Sequence, residues 1–299
     1  MYRNFKEIVA KAKEIGPRKV AVLFPDDPDV MRAARDGAKE GLIEPVLVGN
    51  RQRIESVANE IDLPIENMEI IDQEDPQEAA DLCIDMVKTG KLAFVVKGNI
   101  LTTYLYRALI RTTRQLTPDQ VPCTLCFHEV TGIDKIFVIT DPGVNILPDL
   151  KLKERILANA VSVLQRLGCK RPRVMVFAVS PVHGDPPGSI KDGIAIRQSA
   201  LEGGLGECEI LSANNLYDVF RDGTVQDGGF PDILIVPNID TGNILVKTID
   251  HLIMGIRQCV TVGGGIFMLT PSRSDRYETR MTNLAFGLVL AASASGGAA

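Results

Sequence analysis

Short β-branched runs alternate with amphipathic helical stretches along this chain, and that alternation restricts it to mostly parallel sheets covered by helices. The first runs fall at residues 19–24, 45–49, 68–72, 92–97 and 136–140. Asp27-Pro28 and Asp75-Pro76 mark helix starts. In each pair the carboxylate can accept from free first-turn amides, and the proline lacks an amide that would go unpaired there. A long helix is predicted over 149–168, after which the rhythm resumes with strands at 173–179, 208–211, 233–237 and 261–270. The expected fold class is α/β, with two α/β domains and a cleft between them. Residues 1–141 with 262–299 are expected to form the first domain and 142–261 the second. The last helix, 276–292, carries Tyr277, Met281, Leu284, Leu288 and Ala292 on one face and is expected to pack back onto the first domain.

Composition narrows the function. The chain has 299 residues, 45% hydrophobic and 24% charged, which is ordinary for a globular protein. Its longest apolar run, 284–294, falls short of the ~20 residues needed to cross a bilayer. The N-terminus is mixed in charge and shows no leader, so a cytoplasmic location is expected. A net charge of -5 with scattered Lys and Arg excludes the electrostatic footprint of a nucleic-acid binder. The six cysteines sit mostly in apolar stretches, where Cys behaves as a small hydrophobe, and no disulfides are expected. Cys123 and Cys126 form a C-x-x-C near His128, but positions three apart on a strand face opposite sides, which argues against zinc. Small substrates met in a cleft are what remain.

Three segments could carry chemistry. In Val95-Val96-Lys97-Gly98-Asn99, a glycine allows close backbone approach, a lysine brings charge, and a following helix offers free N–H groups; Lys97 is either part of an anion site or a solvated surface charge. In the stretch from Thr140 to Asp149, Asp149 fits a helix N-cap, while Asp141 and Asn145 either tie up the turn backbone or hydrogen-bond a ligand. In the stretch from Val262 to Asp275, three glycines lack the dinucleotide spacing, so no nicotinamide cofactor is indicated. Ser272 and Arg273 in the same stretch offer a hydroxyl and a planar fork suited to phosphate; the alternative is that Asp275 caps the last helix and Arg273 lies in solvent. His183, in a Pro/Gly-rich loop, either reaches a cleft or lies exposed, and Ser180 lacks a nucleophile-elbow context. Gly98-Asn99-Ile100-Leu101 and Gly242-Asn243-Ile244-Leu245 form a weak internal echo, each expected where a strand hands over to a helix.

Taken together, these segments resemble the phosphate acetyl/butyryl transferase family over most of the chain. The run Thr140-Asp141-Pro142-Gly143-Val144-Asn145-Ile146-Leu147-Pro148-Asp149, continued by Lys153 and Asn159, looks like the family's T-D-x-x-x-N-x-x-P-D stretch. Pro237 to Leu245 looks like its P-x-x-x-x-G-N-I-L run, while Lys97-Gly98 and Ser272-Arg273 fall on its lysine-glycine turn and serine-arginine loop. The resemblance implies an isocitrate/isopropylmalate dehydrogenase-like architecture and a homodimer. It also implies exchange of a short acyl group between CoA and inorganic phosphate, with CoA as substrate and no metal or further organic cofactor. It casts Arg273 on phosphate and developing negative charge, Ser272 as hydrogen-bond donor to the reacting group, and Asp275, or else Glu278, as base. Lys97, Gly98, Asp141, Asn145, Gly242 and Asn243 would bind substrate. The chain departs from the family pattern at Val179-Ser180-Pro181-Val182-His183-Gly184-Asp185 and again from Glu209 to Leu216. Those departures leave a second reading, a weak or inactive member that binds CoA, acyl phosphate or phosphate.

Overall fold

A computed structural model describes residues 2–179, 188–221, 229–273 and 275–295. Ser180 and His183 lie outside the described residues. In chain order the first elements are α1 (Phe5–Ile15), β1 (Arg18–Leu23), α2 (Pro28–Lys39), β2 (Ile43–Gly49), α3 (Arg51–Glu60), β3 (Glu69–Asp72), α4 (Pro76–Lys88), β4 (Val95–Lys97) and α5 (Thr102–Leu116). Next come β5 (Cys123–Glu129), β6 (Phe137–Thr140), α6 (Leu150–Arg166), β7 (Arg173–Val176), α7 (Gly188–Leu201), β8 (Glu209–Ile210), α8 (Leu216–Arg221), β9 (Ile233–Ile235) and α9 (Ile239–His251). The chain ends with β10 (Ile256–Gly263), β11 (Ile266–Leu269) and α10 (Tyr277–Ser295). Both aspartate-proline starts form as expected: Asp27 accepts from the amides of Asp29 and Val30, and Asp75 from those of Gln77 and Glu78.

The chain divides into two compact units, one of Phe5–Asp119 with Gln258–Ala299 and the other of Met1–Asn4 with Gln120–Arg257. In the first, the strand order is β3-β2-β1-β4-β11-β10, parallel except where β10 and β11 pair antiparallel. The sequence suggested one strand over 261–270. Instead the chain reverses at Gly264 and Gly265, whose φ values of +61° and +76° suit the tight hairpin turn that glycine permits. This return slots β11 beside β4, with Leu269 opposite Val96. The core beneath gathers Leu23, Val46, Val95 and Met268 with Ala80 and Ile84 of α4 and Leu105 and Leu109 of α5. On the other side α10 packs against α1 and α2, through Phe286 edge-on to Phe5 among other contacts.

The second unit orders its strands β5-β6-β9-β7-β8, with β5 and β6 antiparallel and the rest parallel. Because β5 and β6 pair with each other and β6 with β9, the segment 120–141 groups with this unit, and the first division falls at Asp119/Gln120 where sequence placed it near Pro142. Cys83, Cys123, Cys169 and Cys208 are free thiols, while Cys126 and Cys259 are disulfide-bonded, which corrects the expectation of none. A thiol and half of a disulfide look alike in an apolar run, so burial alone could not separate them. His128 is buried with Nδ1 3.0 Å from the Cys126 carbonyl, and burial pulls its pKa down to about 4. Among the described residues no three His, Cys, Asp or Glu side chains are grouped to hold a metal, and no helix is long and apolar enough to cross a membrane.

Gly287 of α10 supplies a test of this packing. A Cβ there would stand 2.6 Å from Leu269 Cδ1 and 2.7 Å from the Phe94 ring. Alanine ordinarily favours a helix over glycine by about 1 kcal/mol. We expect Gly287→Ala nonetheless to lose about 1–2 kcal/mol in urea denaturation, because overpacking outweighs that gain; a more stable variant would show that the contact relaxes freely.

Candidate active site

In the first unit the site is built at the carboxyl ends of β4 and β11. Past β4 the backbone stays locked to the end of β1: Gly98 N donates to the Leu23 carbonyl and Asn99 N to that of Phe24, both at 2.8 Å. A Cβ at position 98 would lie 2.2 Å from the Phe24 oxygen, so only glycine fits. Lys97, the last residue of β4, is 4% exposed, and its Nζ donates to the Gly98 carbonyl at 3.2 Å.

Beyond β11, Thr270 and Pro271 are buried, Ser272 is half-buried and Arg273 is exposed. Asp275 closes this turn reciprocally. Its Oδ2 accepts from Ser272 N at 2.7 Å, and its own amide donates to the Ser272 carbonyl at 3.1 Å. Arg280, one turn into α10, brings Nη2 to 3.5 Å from that same carbonyl. Lys97, Tyr106, Thr270, Ser272 and Arg273 line a pocket of about 340 Å³.

Positive charge gathers around Lys97. Burial pulls the Lys97 pKa down to about 8, helped by the positive charges of Arg273 and Arg280 and opposed by Asp275. Arg280 is 7% exposed, and its Nε finds no hydrogen-bond partner among the described residues. Sequence reasoning passed over Arg280. The available signal was a cation three residues after Tyr277 and four before Leu284, on the face of α10 that otherwise reads as apolar.

The second unit gathers the other residues around one carboxylate. Asp141 is 3% exposed; its Oδ1 accepts from the amides of Thr124, Gly143 and Val144 at 2.9–3.1 Å, and Oδ2 from the amide and the side-chain nitrogen of Asn145. Burial pushes the Asp141 pKa up, while these donors pull it the other way. Asn145 also donates to the Pro122 carbonyl at 2.9 Å, so both residues tie up the turn backbone.

Gly242 lies in the first turn of α9, where a Cβ would come within 2.9 Å of Val236 Cγ2 and 3.0 Å of Pro142 Cα. Exposed Asn243 has Nδ2 3.5 Å from the Pro142 carbonyl. The Gly-Asn echo therefore differs in setting: Gly98 precedes its helix and Gly242 is inside one. Asp149 caps α6 through Leu152 N, and Lys153 is ion-paired with Asp192 at 2.6 Å.

Asp141→Asn tests this turn. It would face an amide NH₂ toward groups that only donate, leaving buried donors unmet, and we expect a loss of about 2–3 kcal/mol in urea denaturation. An unchanged midpoint would mean that the turn does not depend on the carboxylate.

The family model described as "Phosphate acetyl/butaryl transferase" matches residues 4–85. The phosphate butyryltransferase of Clostridium acetobutylicum is 29% identical over 300 residues, covering 97% of this chain and 99% of that protein. The phosphate acetyltransferase of Rickettsia prowazekii is 28% identical over 288 residues, covering 93% of this chain and 82% of its own. The solved phosphotransacetylase of Streptococcus pyogenes shares the fold with a TM-score of 0.77 at 15% identity, over 98% of this chain and 99% of its own. Over nearly its whole length, then, the chain is similar to phosphate butyryltransferases and phosphate acetyltransferases.

Proposed function

We propose that this protein is a phosphate acyltransferase that moves a short acyl group directly between coenzyme A and inorganic phosphate. The observation that carries the reading is the pocket beside Ser272. Lys97 and Arg273 line it, Arg280 reaches the Ser272 carbonyl, and Oδ2 of Asp275 is already engaged by the Ser272 amide. Such a surplus suits a dianion.

In this reading a phosphate oxygen attacks the thioester carbonyl, a tetrahedral oxyanion forms, and its collapse releases the CoA thiolate and the acyl phosphate. The Arg273 fork holds phosphate in line and offsets the developing charge. Ser272 donates its hydroxyl to the reacting group. Asp275 fixes the main chain that carries both. In the other unit, the turn set by Asp141 and Asn145 presents Asn243 with exposed Ile146 and Leu147, an amide and two apolar side chains that suit part of the coenzyme or acyl chain. Gly242 lets α9 approach that turn. CoA enters as substrate, and the protein works as a homodimer in the cytoplasm.

The test is thiol release from acetyl-, propionyl-, butyryl- and branched acyl-CoA, with and without phosphate. We expect phosphate-dependent release from at least one thioester. Arg273→Ala should reduce it by roughly 10²–10³-fold, the usual cost of losing a transition-state charge partner. CoA binding without any release would leave a binding protein in place of an enzyme.

A further inference from the structure

A proton must change hands during this transfer. Hydrogen phosphate brings one that the acyl phosphate does not keep, and the departing thiolate must gain one. A single group able to hold the proton between the two events satisfies the balance. The pocket offers few candidates. The Arg273 guanidinium does not give up its proton. The Asp275 carboxylate is engaged through Oδ2 by Ser272 N. The hydroxyls of Thr270 and Ser272 are far too weakly acidic.

Lys97 meets the requirement. It is sequestered from water at the end of β4, lines the same pocket as Ser272 and Arg273, and donates to the neutral carbonyl of Gly98. We propose that Lys97 is a catalytic proton carrier. Its neutral amine takes the proton of hydrogen phosphate as the P–O oxygen bonds to the thioester carbon. The resulting ammonium gives that proton to sulfur as the C–S bond breaks, which returns the amine to its starting state. This rests on the transfer reaction proposed above.

The surroundings keep the amine poised for the task. From the loop before α10 and from α10 itself, Arg273 and Arg280 disfavour the ammonium and Asp275 favours it. In the core beneath, the Cys83 thiol of α4 is pushed up to about 12 by burial and is therefore neutral. Beyond β1, Asp26 faces Arg53 and Asn99. Across β1 and β11 the packed side chains Leu23 and Met268 are apolar, and Tyr106 of α5 brings a phenol to the pocket wall. With the Lys97 pKa at about 8, the free base grows as pH rises through that value, close to the ~8.5 of a free thiol.

The experiment is the pH profile of kcat/KM for phosphate-dependent thiol release by wild type, Lys97→Arg and Lys97→Met, with thermal melting of each. We expect the wild-type profile to climb to a plateau through about pH 8. Both variants should fall by roughly a hundredfold or more and lose that limb, since proton transfer is worth at least that much. A Lys97→Arg enzyme within about threefold of wild type would mean that Lys97 supplies only charge, and would overturn the proposal.

Should either Lys97 variant melt early, Arg280→Gln decides. Removing that neighbouring positive charge should move the limb to higher pH, and a limb that stays put refutes Lys97 as its source. Wild type without phosphate-dependent release sinks the transferase reading itself and this proposal with it; an active wild type with unaffected Lys97 variants sinks only the latter.

Discussion

Two amide hydrogen bonds set most of what the first unit can do. Gly98 and Asn99 donate to the carbonyls at the end of β1, extending the β1–β4 pairing one step past the last strand residue. The approach is so close that any side chain at 98 would collide with backbone oxygen, not with a yielding side-chain tip. Lys97 is thereby held on the buried side of a rigid strand end. A lysine on a mobile loop would swing its ammonium into water; here the backbone denies it that freedom, and burial lowers the pKa of the amine.

Desolvation has a thermodynamic consequence for the whole site. Lys97 and Arg280 are both buried, Arg273 and Arg280 both act on Lys97 as positive charges, and among the described residues Asp275 is the one carboxylate that opposes them. Burying cations with incomplete compensation opposes folding. The reciprocal bonds between Ser272 and Asp275 and the reach of Arg280 to the Ser272 carbonyl offset part of that cost by stapling the loop to the first turn of α10. An anion in the pocket offsets more, because it binds the folded state alone and so stabilises it by mass action.

Much of this was legible in the sequence. Alternating β-branched runs and helical stretches gave the α/β class, and Asp27-Pro28, Asp75-Pro76 and Asp149 marked helix starts because capping is local chemistry. Lys97 with Gly98, and Ser272 with Arg273 and Asp275, stood out as a glycine-lysine turn and a phosphate-suited loop. The hairpin at Gly264-Gly265 was not seen, since two short strands in one apolar stretch carry the same composition as one long strand. The grouping of β5 and β6 with the later strands depends on which strand pairs with which, and no local signal encodes that. Arg280 escaped because helical periodicity was read through its apolar members, which hides a charge set among them.

The repeated Gly-Asn-Ile-Leu shows how far a short motif can be pushed. Its two copies do not occupy the same place: Gly98 stands between β4 and α5, whereas Gly242 sits within α9. What they share is a contact requirement. Gly98 must clear the Phe24 carbonyl, and Gly242 must clear Pro142 and Val236. Each lets one backbone segment lie against another at the end of a sheet. The consequences then diverge with the neighbours. Beside Gly98 the side chain is a buried lysine that needs an anion or a proton transfer to balance it. Beside Gly242 the packed turn is closed by Asp141, whose five donors already balance its charge. One glycine therefore supports a buried cation with charge to spare and the other a turn complete in itself.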